Sequence, residues 1–380
     1  MSDSLTDKLI DLKEPFVFSN ERDIMFLEAM QESFNHHYNN CPVYQTICRL
    51  EGFSPEHFQS YNDIFYIPHI FVSVTDTGKL LSVPENEVKT IRKSSDAPGG
   101  AGAVCFDSIT LNRIRKIIFN IYQDFDMAKH SVKSNCILFS CKEKLTGEGA
   151  NPLSDIYLNS LANINELVYA LKWNTSANAY EPDFDSVSEA LARFAEADAP
   201  LLIIGFPALI SEIRTGYPVE NPSPFAFGKD SYLITGGGWS TKTGENIDKG
   251  EFRKTISQWL GIPQKNIREI YGMEEHGVPY CECECGKMHI PVYSRVVVRD
   301  PETMRILPDN IPGLFHFYTP YVNSFPALSL LTTDTGIVSD NCECGRNSPY
   351  IEVVGRAGIA RQRGSAVKAL DFLPDGKNNE

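Results

Sequence analysis

Residues 232–239 read YLITGGGW, a short apolar run that leads directly into three consecutive glycines. Residues 200–206 (PLLIIGF) form a second short apolar run, rich in β-branched side chains, and it also ends beside a glycine. Runs of this kind are typical of strands buried on both faces of a parallel sheet. A third short strand is predicted at residues 267–270.

Predicted helices lie between and before these strands. Residues 186–197 and 249–260 have helical spacing of apolar side chains, as do residues 20–37 nearer the N-terminus. A further helix is predicted over residues 108–125, opened by Ser108 as its cap. Strands that alternate with helices predict an α/β fold with a mostly parallel sheet flanked by helices, and ligands then bind at the carboxyl ends of the strands.

The composition of the chain changes from residue 280 onward. Turns, cysteines and short strands follow, with strands predicted at residues 294–298, 313–318 and 328–331. We therefore predict three parts. Residues 1–279 form a large α/β core, residues 280–354 form a smaller β-rich part with the cysteine clusters, and residues 355–380 form a short C-terminal tail.

Composition excludes several classes of partner. The 380 residues carry a net charge of −14, which gives no electrostatic reason to approach nucleic acid or anionic lipid. No apolar run is long enough to span a membrane, and residues 1–15 lack the basic flank and apolar stretch of a secretory signal. The expected location is the cytoplasm, and the expected partners are small molecules or another protein.

Cysteines are concentrated in two near-identical clusters. Cys283-Glu-Cys285-Gly286 and Cys342-Glu-Cys344-Gly345 each place a glycine where a turn beneath a metal-bound sulfur needs one. Four thiolates from two such turns make a closed tetrahedral site, so we predict structural zinc. Two further residues are candidates to replace one of these ligands, namely Cys281 and His289. The cysteines outside the clusters are expected to be reduced or buried as small apolar residues.

Five motifs then follow one another in a characteristic order. They are SSDAPGGAG at residues 94–102, the three glycines after residue 235, YGMEE at 271–275, DTG at 334–336, and Gly355-Arg356. This order resembles the adenylate-forming superfamily of acyl- and aryl-CoA ligases, including those of the phenylacetate-CoA ligase type. Within it the chain resembles the LuxE-like acyl-protein synthetases, the long-chain fatty acid–protein ligases of bacterial luminescence.

The closer resemblance covers most of the chain. It is carried by FNHHYNNCPVYQTIC at residues 34–48, ITGGGW at 234–239, DPETMRILPDNIPGL at 300–314 and TTDTGI at 332–337. It implies the N-terminal-type fold of adenylate-forming enzymes, with residues 280–354 completing the nucleotide site. It also implies an AMP-forming acid–thiol ligase, in which ATP activates a fatty or other hydrophobic acid as an acyl-adenylate.

The resemblance assigns roles to particular residues. The loop that contacts the triphosphate would use hydroxyls and backbone N–H groups from Ser94, Ser95, Gly99 and Gly100. Tyr271 would lie against the adenine, and Gly272 after it would belong to the same site. A wall beside the adenine would be formed by Gly236, Gly237 and Gly238. Asp334 would accept both ribose hydroxyls, Glu275 would lie near magnesium, and Arg356 would lie by the ribose or a phosphate. Contributors to an apolar acid pocket would be Phe206, Pro207 and Trp239.

Three departures from the family pattern bear on function. Asp96, Ala97 and Pro98 replace the usual Gly-Thr of the phosphate loop and place an acid beside an expected polyanion. Only 24 residues follow Arg356, so we expect no full C-terminal lid domain, as in the acyl-protein synthetases. Ser365 stands where the family carries the cysteine that becomes acylated.

The sequence therefore leaves the acyl acceptor open, because an unactivated serine is a much weaker nucleophile than a thiolate. The acyl group would pass to a thiol of the protein itself, of a partner acyl-CoA reductase, or of a carrier protein. Two alternatives remain: an acyl- or aryl-CoA ligase-like enzyme that transfers to coenzyme A, and a binding or scaffold homologue that has lost catalysis.

Overall fold

The computed structural model describes residues 4–72, 79–93, 103–140, 152–176, 179–217, 225–239 and 246–356. The helices within these ranges, numbered in chain order, are α1 (Leu5–Ile10), α2 (Asn20–Asn40), α3 (Pro42–Leu50), α4 (Ser108–Asp124), α5 (Pro152–Leu161), α6 (Phe184–Ala195), α7 (Pro207–Gly216) and α8 (Lys249–Leu260). Short 3-10 turns occur at Pro55–His57, Tyr61–Tyr66, Glu85–Glu87 and Gln264–Asn266. Among the described helices, none combines the length and apolar character that crossing a membrane requires.

Strands are numbered in the same way. They are β1 (Ile70–Phe71), β2 (Val88–Lys93), β3 (Ala103–Asp107), β4 (Lys129–Leu138), β5 (Ala162–Tyr169), β6 (Leu171–Asn174), β7 (Ala179–Pro182), β8 (Leu201–Gly205), β9 (Tyr232–Thr235), β10 (Ile267–Tyr271), β11 (Tyr280–Cys281), β12 (Met288–His289), β13 (Arg295–Arg299), β14 (Gly313–Tyr318), β15 (Ser329–Ser339) and β16 (Tyr350–Arg356).

The chain divides into two compact units that interleave along the sequence. The first unit contains residues 1–121, 272–279 and 287–380, and the second contains residues 122–271 and 280–286. The predicted division into the consecutive segments 1–279, 280–354 and 355–380 follows different boundaries and stays a prediction.

The second unit is built on the predicted parallel sheet. Its strand order is β11-β10-β9-β8-β4-β5, and every neighbouring pair is parallel except the edge pair of β10 and β11. Strand β9 is buried along its whole length, as expected of a strand covered on both faces. Its Leu233 packs with side chains of β8, α6, α7 and α8 in one core.

Local chemistry sets the ends of the helix that follows β9. The Asp248 side chain accepts a hydrogen bond from the Glu251 N–H and caps the start of α8. At the other end Gly261 adopts a φ of 68°, and a Cβ there would lie 2.3 Å from the Phe225 carbonyl oxygen. Only glycine avoids that clash, so the helix stops where the sequence predicts.

The first unit contains a largely antiparallel sheet in the order β12-β16-β15-β14-β13, with β1 paired in parallel to β15. Strand β15 extends well beyond the predicted residues 328–331. It continues through the TTDTGI motif because Gly336 packs against the β16 backbone, where a Cβ would lie 2.1 Å from the Glu352 carbonyl oxygen. The register shifts beside this glycine, between Thr335 and Gly336.

Candidate functional site

The glycine run of the second unit lies at the carboxyl edge of its parallel sheet. Strands β9 and β10 are parallel neighbours in which Thr235 is the partner of Glu269. Gly236 follows β9 and packs close to β10, since a Cβ there would lie 3.4 Å from the Ile270 carbonyl oxygen. Tyr271 is the last residue of β10. The structure therefore brings the glycine run and Tyr271 to one edge, where parallel sheets bind ligands.

The two following glycines adopt positive φ angles, which residues with side chains rarely adopt. Gly237 and Gly238 have φ angles of 81° and 95°. The ring of Phe206 lies against Gly237, where a Cβ would come within 2.4 Å of it. Phe206 is 48% exposed at this edge, whereas Pro207 is buried in the first turn of α7. Of these two predicted pocket residues, Phe206 is therefore the one accessible to a ligand.

A charged group borders the same edge. The Lys249 ammonium lies 5.2 Å from the centre of the Trp239 ring and donates to the Glu269 carboxylate at 2.5 Å. Trp239 also packs edge-on against Phe252, with ring centres 5.3 Å apart. The orientation of Trp239 is thus set by a cation–π contact and an aromatic contact.

In the first unit, Glu275 lies on a tight, buried turn. The Gly277 N–H donates to the Met273 carbonyl at 3.0 Å, and Glu275 itself is only 7% exposed. Gly277 has a φ of 72°, and a Cβ there would lie 2.5 Å from Ile114 Cδ1. Burial lowers the pKa of the neighbouring His276 to about 3, so its imidazole is neutral near pH 7.

Asp334 and Arg356 are directly opposite each other on β15 and β16 of the first unit. Asp334 is partly exposed. Its backbone carbonyl accepts a hydrogen bond from the Thr332 hydroxyl at 3.2 Å. For Arg356 the structure describes the backbone alone. The remaining predicted residues, Ser94, Ser95, Gly99, Gly100 and Ser365, lie outside the described residues.

Four of the predicted metal ligands form one group. The ligand atoms of Cys283, His289, Cys342 and Cys344 all lie within 4.8 Å of one another. His289 Nε2 is 3.2 Å from Cys344 Sγ. His289 Nδ1 lies 2.7 Å from the hydroxyl oxygen of Ser348 and 3.2 Å from its carbonyl oxygen. Because the Nδ1–H donates to Ser348, Nε2 is left as the atom available for a metal.

This donor set fits zinc. Three sulfurs and one imidazole nitrogen form a closed Cys₃His set, one of the common structural zinc sites. The Cys285 N–H lies 3.4 Å from Cys283 Sγ, an arrangement that stabilises a thiolate. Gly286 and Gly345 have φ angles of 74° and 81°, as the turns beneath two of the sulfurs require.

Cys285 and Cys281 are not members of this group, which differs from the four-thiolate set predicted from the two turns and contains His289, one of the two predicted replacement ligands. The Cys285 side chain is exposed, and His289 occupies the fourth position instead. Cys281 is buried in β11, and burial raises the pKa of its thiol far above the usual range. Ser348, which orients His289, was not predicted, because a single serine after a cysteine turn carries no distinguishing pattern.

Comparison with known proteins identifies the family. The family profile described as "Acyl-protein synthetase, LuxE" matches residues 1–372. The long-chain-fatty-acid–luciferin-component ligase of Aliivibrio fischeri is 24% identical over 383 residues, covering 98% of this chain and 95% of the relative. The protein of the same description from Vibrio harveyi is 24% identical over 378 residues, with the same coverage.

Solved structures support the same fold. A 2-hydroxyisobutyryl-CoA ligase in complex with 2-HIB-AMP and CoA is similar with a TM-score of 0.68 and 16% identity, over 90% of this chain and 70% of that one. An open conformation of this ligase gives a TM-score of 0.67 with 17% identity, over 91% and 78%. The predicted α/β fold of an adenylate-forming enzyme is thereby confirmed, and the chain belongs to the acyl-protein synthetase family.

Proposed function

We propose that this protein activates a hydrophobic carboxylic acid with ATP and passes the acyl group from acyl-AMP to a thiol. The observation that carries the proposal is the family match, which spans residues 1–372 rather than one motif. The two relatives described as long-chain-fatty-acid ligases match over 98% of this chain. They favour a long-chain acid over a small one.

The carboxyl edge of the second unit is proposed to receive the adenine. Gly236, Gly237 and Gly238 present backbone without side chains, so a flat base can approach closely. Tyr271, followed by Gly272, supplies an aromatic face at the end of the neighbouring strand. Phe206 and Trp239 are proposed to contact the apolar part of the acid or of the adenylate.

The first unit is proposed to bind the polar parts of ATP. The Asp334 carboxylate would accept hydrogen bonds from both ribose hydroxyls, and Arg356 would neutralise charge on the ribose-phosphate side. Ser94, Ser95, Gly99 and Gly100 are proposed to contact the β- and γ-phosphates. Glu275 is proposed as a magnesium ligand, and magnesium when bound would neutralise phosphate charge.

The proposed chemistry has two half-reactions. In the first, a carboxylate oxygen of the acid attacks the α-phosphorus of ATP, an O–P bond forms, and the bond to the bridging oxygen breaks to release pyrophosphate. In the second, a thiolate attacks the acyl carbon, a thioester forms, and AMP leaves. The protein's part in both is to hold reactants in line and to offset negative charge, so no side-chain nucleophile is needed for the first.

The acceptor thiol is proposed to belong to another protein. Ser365 lacks the thiolate that a cysteine would supply at neutral pH. A partner acyl-CoA reductase or a carrier protein, both expected in the cytoplasm, would then receive the acyl group directly. The test is incubation with ATP and radiolabelled acid, followed by hydroxylamine. Hydroxylamine-labile label on the tail of this chain would contradict direct transfer.

The Cys283, His289, Cys342 and Cys344 group is proposed to bind zinc in a structural role. All four positions of a tetrahedral ion would be filled by protein atoms, which leaves none for a substrate or a water. Such an ion contributes to folding rather than to the reaction.

Acid-dependent exchange of labelled pyrophosphate into ATP tests the adenylation proposal. A panel of acids of different chain length should give exchange with the protein, with the highest rate for long-chain acids. Asp334→Ala should raise the KM for ATP about tenfold, because charged hydrogen bonds to the ribose are lost. The matched control is Asp309→Ala, which removes an exposed carboxylate before β14 and should leave the KM for ATP unchanged.

Two results would contradict this proposal. Exchange that is absent with every acid, in folded protein supplied with magnesium, would show that the chain does not adenylate. An unchanged KM for ATP in the Asp334→Ala variant would leave adenylation standing and remove Asp334 from the ATP site.

A further inference from the structure

The loop between β14 and β15, residues 319–328, is held by side chains from several other elements of the first unit. The His37 Nε2–H donates to the Val322 carbonyl at 3.0 Å, and the His36 Nε2–H donates to the Asn323 carbonyl at 2.9 Å. The Ser82 N–H donates to the Ser324 carbonyl at 2.8 Å. Three successive carbonyls of the loop thus have fixed partners, so the path of its backbone is strongly constrained.

His37 holds the loop in one protonation state. Burial, assisted by the nearby charges of His36 and Arg113, lowers the pKa of His37 to about 3. The imidazole is therefore neutral near pH 7. Its Nδ1 accepts from the Ser82 hydroxyl at 2.7 Å while the Nε2–H donates to the loop. Both ring nitrogens are used, which fixes the tautomer and the ring orientation.

The start of α4 binds the same loop through Asn323. The buried Asp107 carboxylate accepts from the Asn323 side-chain amide at 2.7 Å and from the Thr110 N–H at 2.8 Å. The Asn323 N–H donates to the Thr110 hydroxyl at 2.9 Å. Asn323 is therefore attached by its side chain to the last residue of β3 and by its backbone to the first turn of α4.

Tyr321 connects this anchored loop to the turn that carries Glu275. Its side chain is buried, and its hydroxyl donates to the His276 carbonyl at 2.9 Å. The His276 ring packs between Phe317 and Tyr321, with ring centres 5.4 and 5.5 Å away. His276, the residue next to Glu275, is thus held in place by a hydrogen bond to its carbonyl from the loop and by ring contacts from β14 and the loop.

We propose that Tyr321 is a positioning residue for adenylation, because it fixes the Glu275 turn through the His276 carbonyl, and that Asn323 positions Tyr321 from the start of α4. This inference rests on the proposed function and on Glu275 as the proposed magnesium ligand. A carboxylate that must meet an ion within a few tenths of an ångström needs a rigid support. The Tyr321 hydroxyl supplies one, and its loss would leave the turn free to shift.

The inference is tested by removing the Tyr321 hydroxyl. Tyr321→Phe keeps the ring that packs on His276 and deletes one hydrogen bond. The magnesium concentration for half-maximal pyrophosphate exchange should rise roughly 3- to 10-fold, the range that one lost hydrogen bond supports. The KM for the acid should stay within about twofold, since neither Tyr321 nor Glu275 is among the residues proposed to contact the acid. Asn323→Ala should raise the magnesium requirement in the same direction.

Tyr44→Phe is the matched control. The Tyr44 hydroxyl is also buried and donates to one backbone carbonyl, that of Pro68, at 3.0 Å. Both Tyr→Phe variants should lose comparable thermal stability, but Tyr44→Phe should leave the magnesium requirement unchanged. This comparison separates positioning from a general loss of stability.

The outcomes distinguish the inference from the proposed function. A higher magnesium requirement in Tyr321→Phe and Asn323→Ala, and not in Tyr44→Phe, supports the inference. If wild-type protein exchanges pyrophosphate and all three variants share its magnesium requirement, the positioning role is wrong while adenylation stands. If none of the acids supports pyrophosphate exchange by the wild-type protein, the proposed function itself is wrong.

Discussion

The turns Cys283–Gly286 and Cys342–Gly345 have the same sequence, Cys-Glu-Cys-Gly. They nevertheless contribute different ligands to the candidate metal group. The second turn contributes both of its cysteines to the metal group. The first contributes Cys283 alone, and His289 on β12 completes the set while Cys285 is exposed. The repeated motif therefore predicts the position of the candidate metal group but not every member of it.

Different supports hold the two turns. Before the first turn, the buried Glu282 accepts from Arg253 at 2.5 Å and from the Glu269 N–H at 2.7 Å, all within the second unit. The second turn connects β15 to β16, and the residue before it, Asn341, is exposed. Buried ion pairs lose much of their stability when one partner is removed. The first turn thus depends on a side-chain network and the second on strand pairing.

The largest expected effect comes from replacing a ligand. Cys283→Ser or Cys342→Ser should reduce bound zinc from about one per chain to near zero, because an alcohol binds zinc far more weakly than a thiolate. Loss of a structural metal should lower the free energy of unfolding by about 4 kcal/mol or more. Metal analysis of the purified variants and denaturant unfolding measure these two changes.

Cys285→Ser is the control that tests the difference between the turns. It changes the same atom in the same motif, two residues from Cys283, and should retain about one zinc per chain. Equal loss of zinc in Cys283→Ser and Cys285→Ser would show that the first turn binds metal with both cysteines. His289 would then have no place in a four-ligand site.

A smaller effect is expected where Ser348 orients His289. Ser348→Ala removes the hydroxyl 2.7 Å from Nδ1 but leaves the Ser348 carbonyl oxygen 3.2 Å away. Loss of one such outer contact should weaken zinc binding about tenfold, as measured by competition with a chelator. Ser339→Ala, at the end of β15, is the control and should bind zinc as the wild type does.

If Ser348→Ala and Ser339→Ala bind zinc equally well, the carbonyl alone suffices to orient the imidazole. If Ser348→Ala instead loses zinc as completely as Cys342→Ser, the hydroxyl is part of the inner ligand set.

The sequence predicted the parts of the fold that depend on neighbouring residues. Strands β8 and β9 were recognisable because each is a short apolar run, and α8 because its apolar side chains have helical spacing. The pairing of β1 with β15 was not recognisable. It joins residues far apart along the chain, and two-residue strands have no periodicity to detect.

The same division applies to the candidate sites. The glycine run and Tyr271 lie at one sheet edge because neighbouring parallel strands end together, and their contact with the adenine stays a prediction. The support of the Glu275 turn by Tyr321 was not predicted, and His289 was predicted only as one of two candidates to replace a cysteine ligand. Both depend on how distant segments pack in three dimensions, which spacing within a motif does not encode.

The smallest expected effect concerns the glycines that close the two turns. Gly345 has a φ of 81°, and within the described residues a Cβ there would meet no atom closer than 4 Å. Gly345→Ala should therefore lower the free energy of unfolding only by the cost of a left-handed alanine, about 1 kcal/mol. Gly52 has a φ of 70° and similarly open surroundings, so Gly52→Ala gives the reference value for that cost.

Gly286→Ala should cost slightly more than either, because its Cβ would lie 3.3 Å from Arg253 Nη1. That guanidinium is not free to move away without weakening its 2.5 Å contact with the buried Glu282. Denaturant unfolding of the three alanine variants, each with zinc bound, measures the order. If Gly286→Ala costs no more than Gly345→Ala, the Arg253–Glu282 pair is pliable, and the two turns then differ in their ligands but not in the rigidity of their supports.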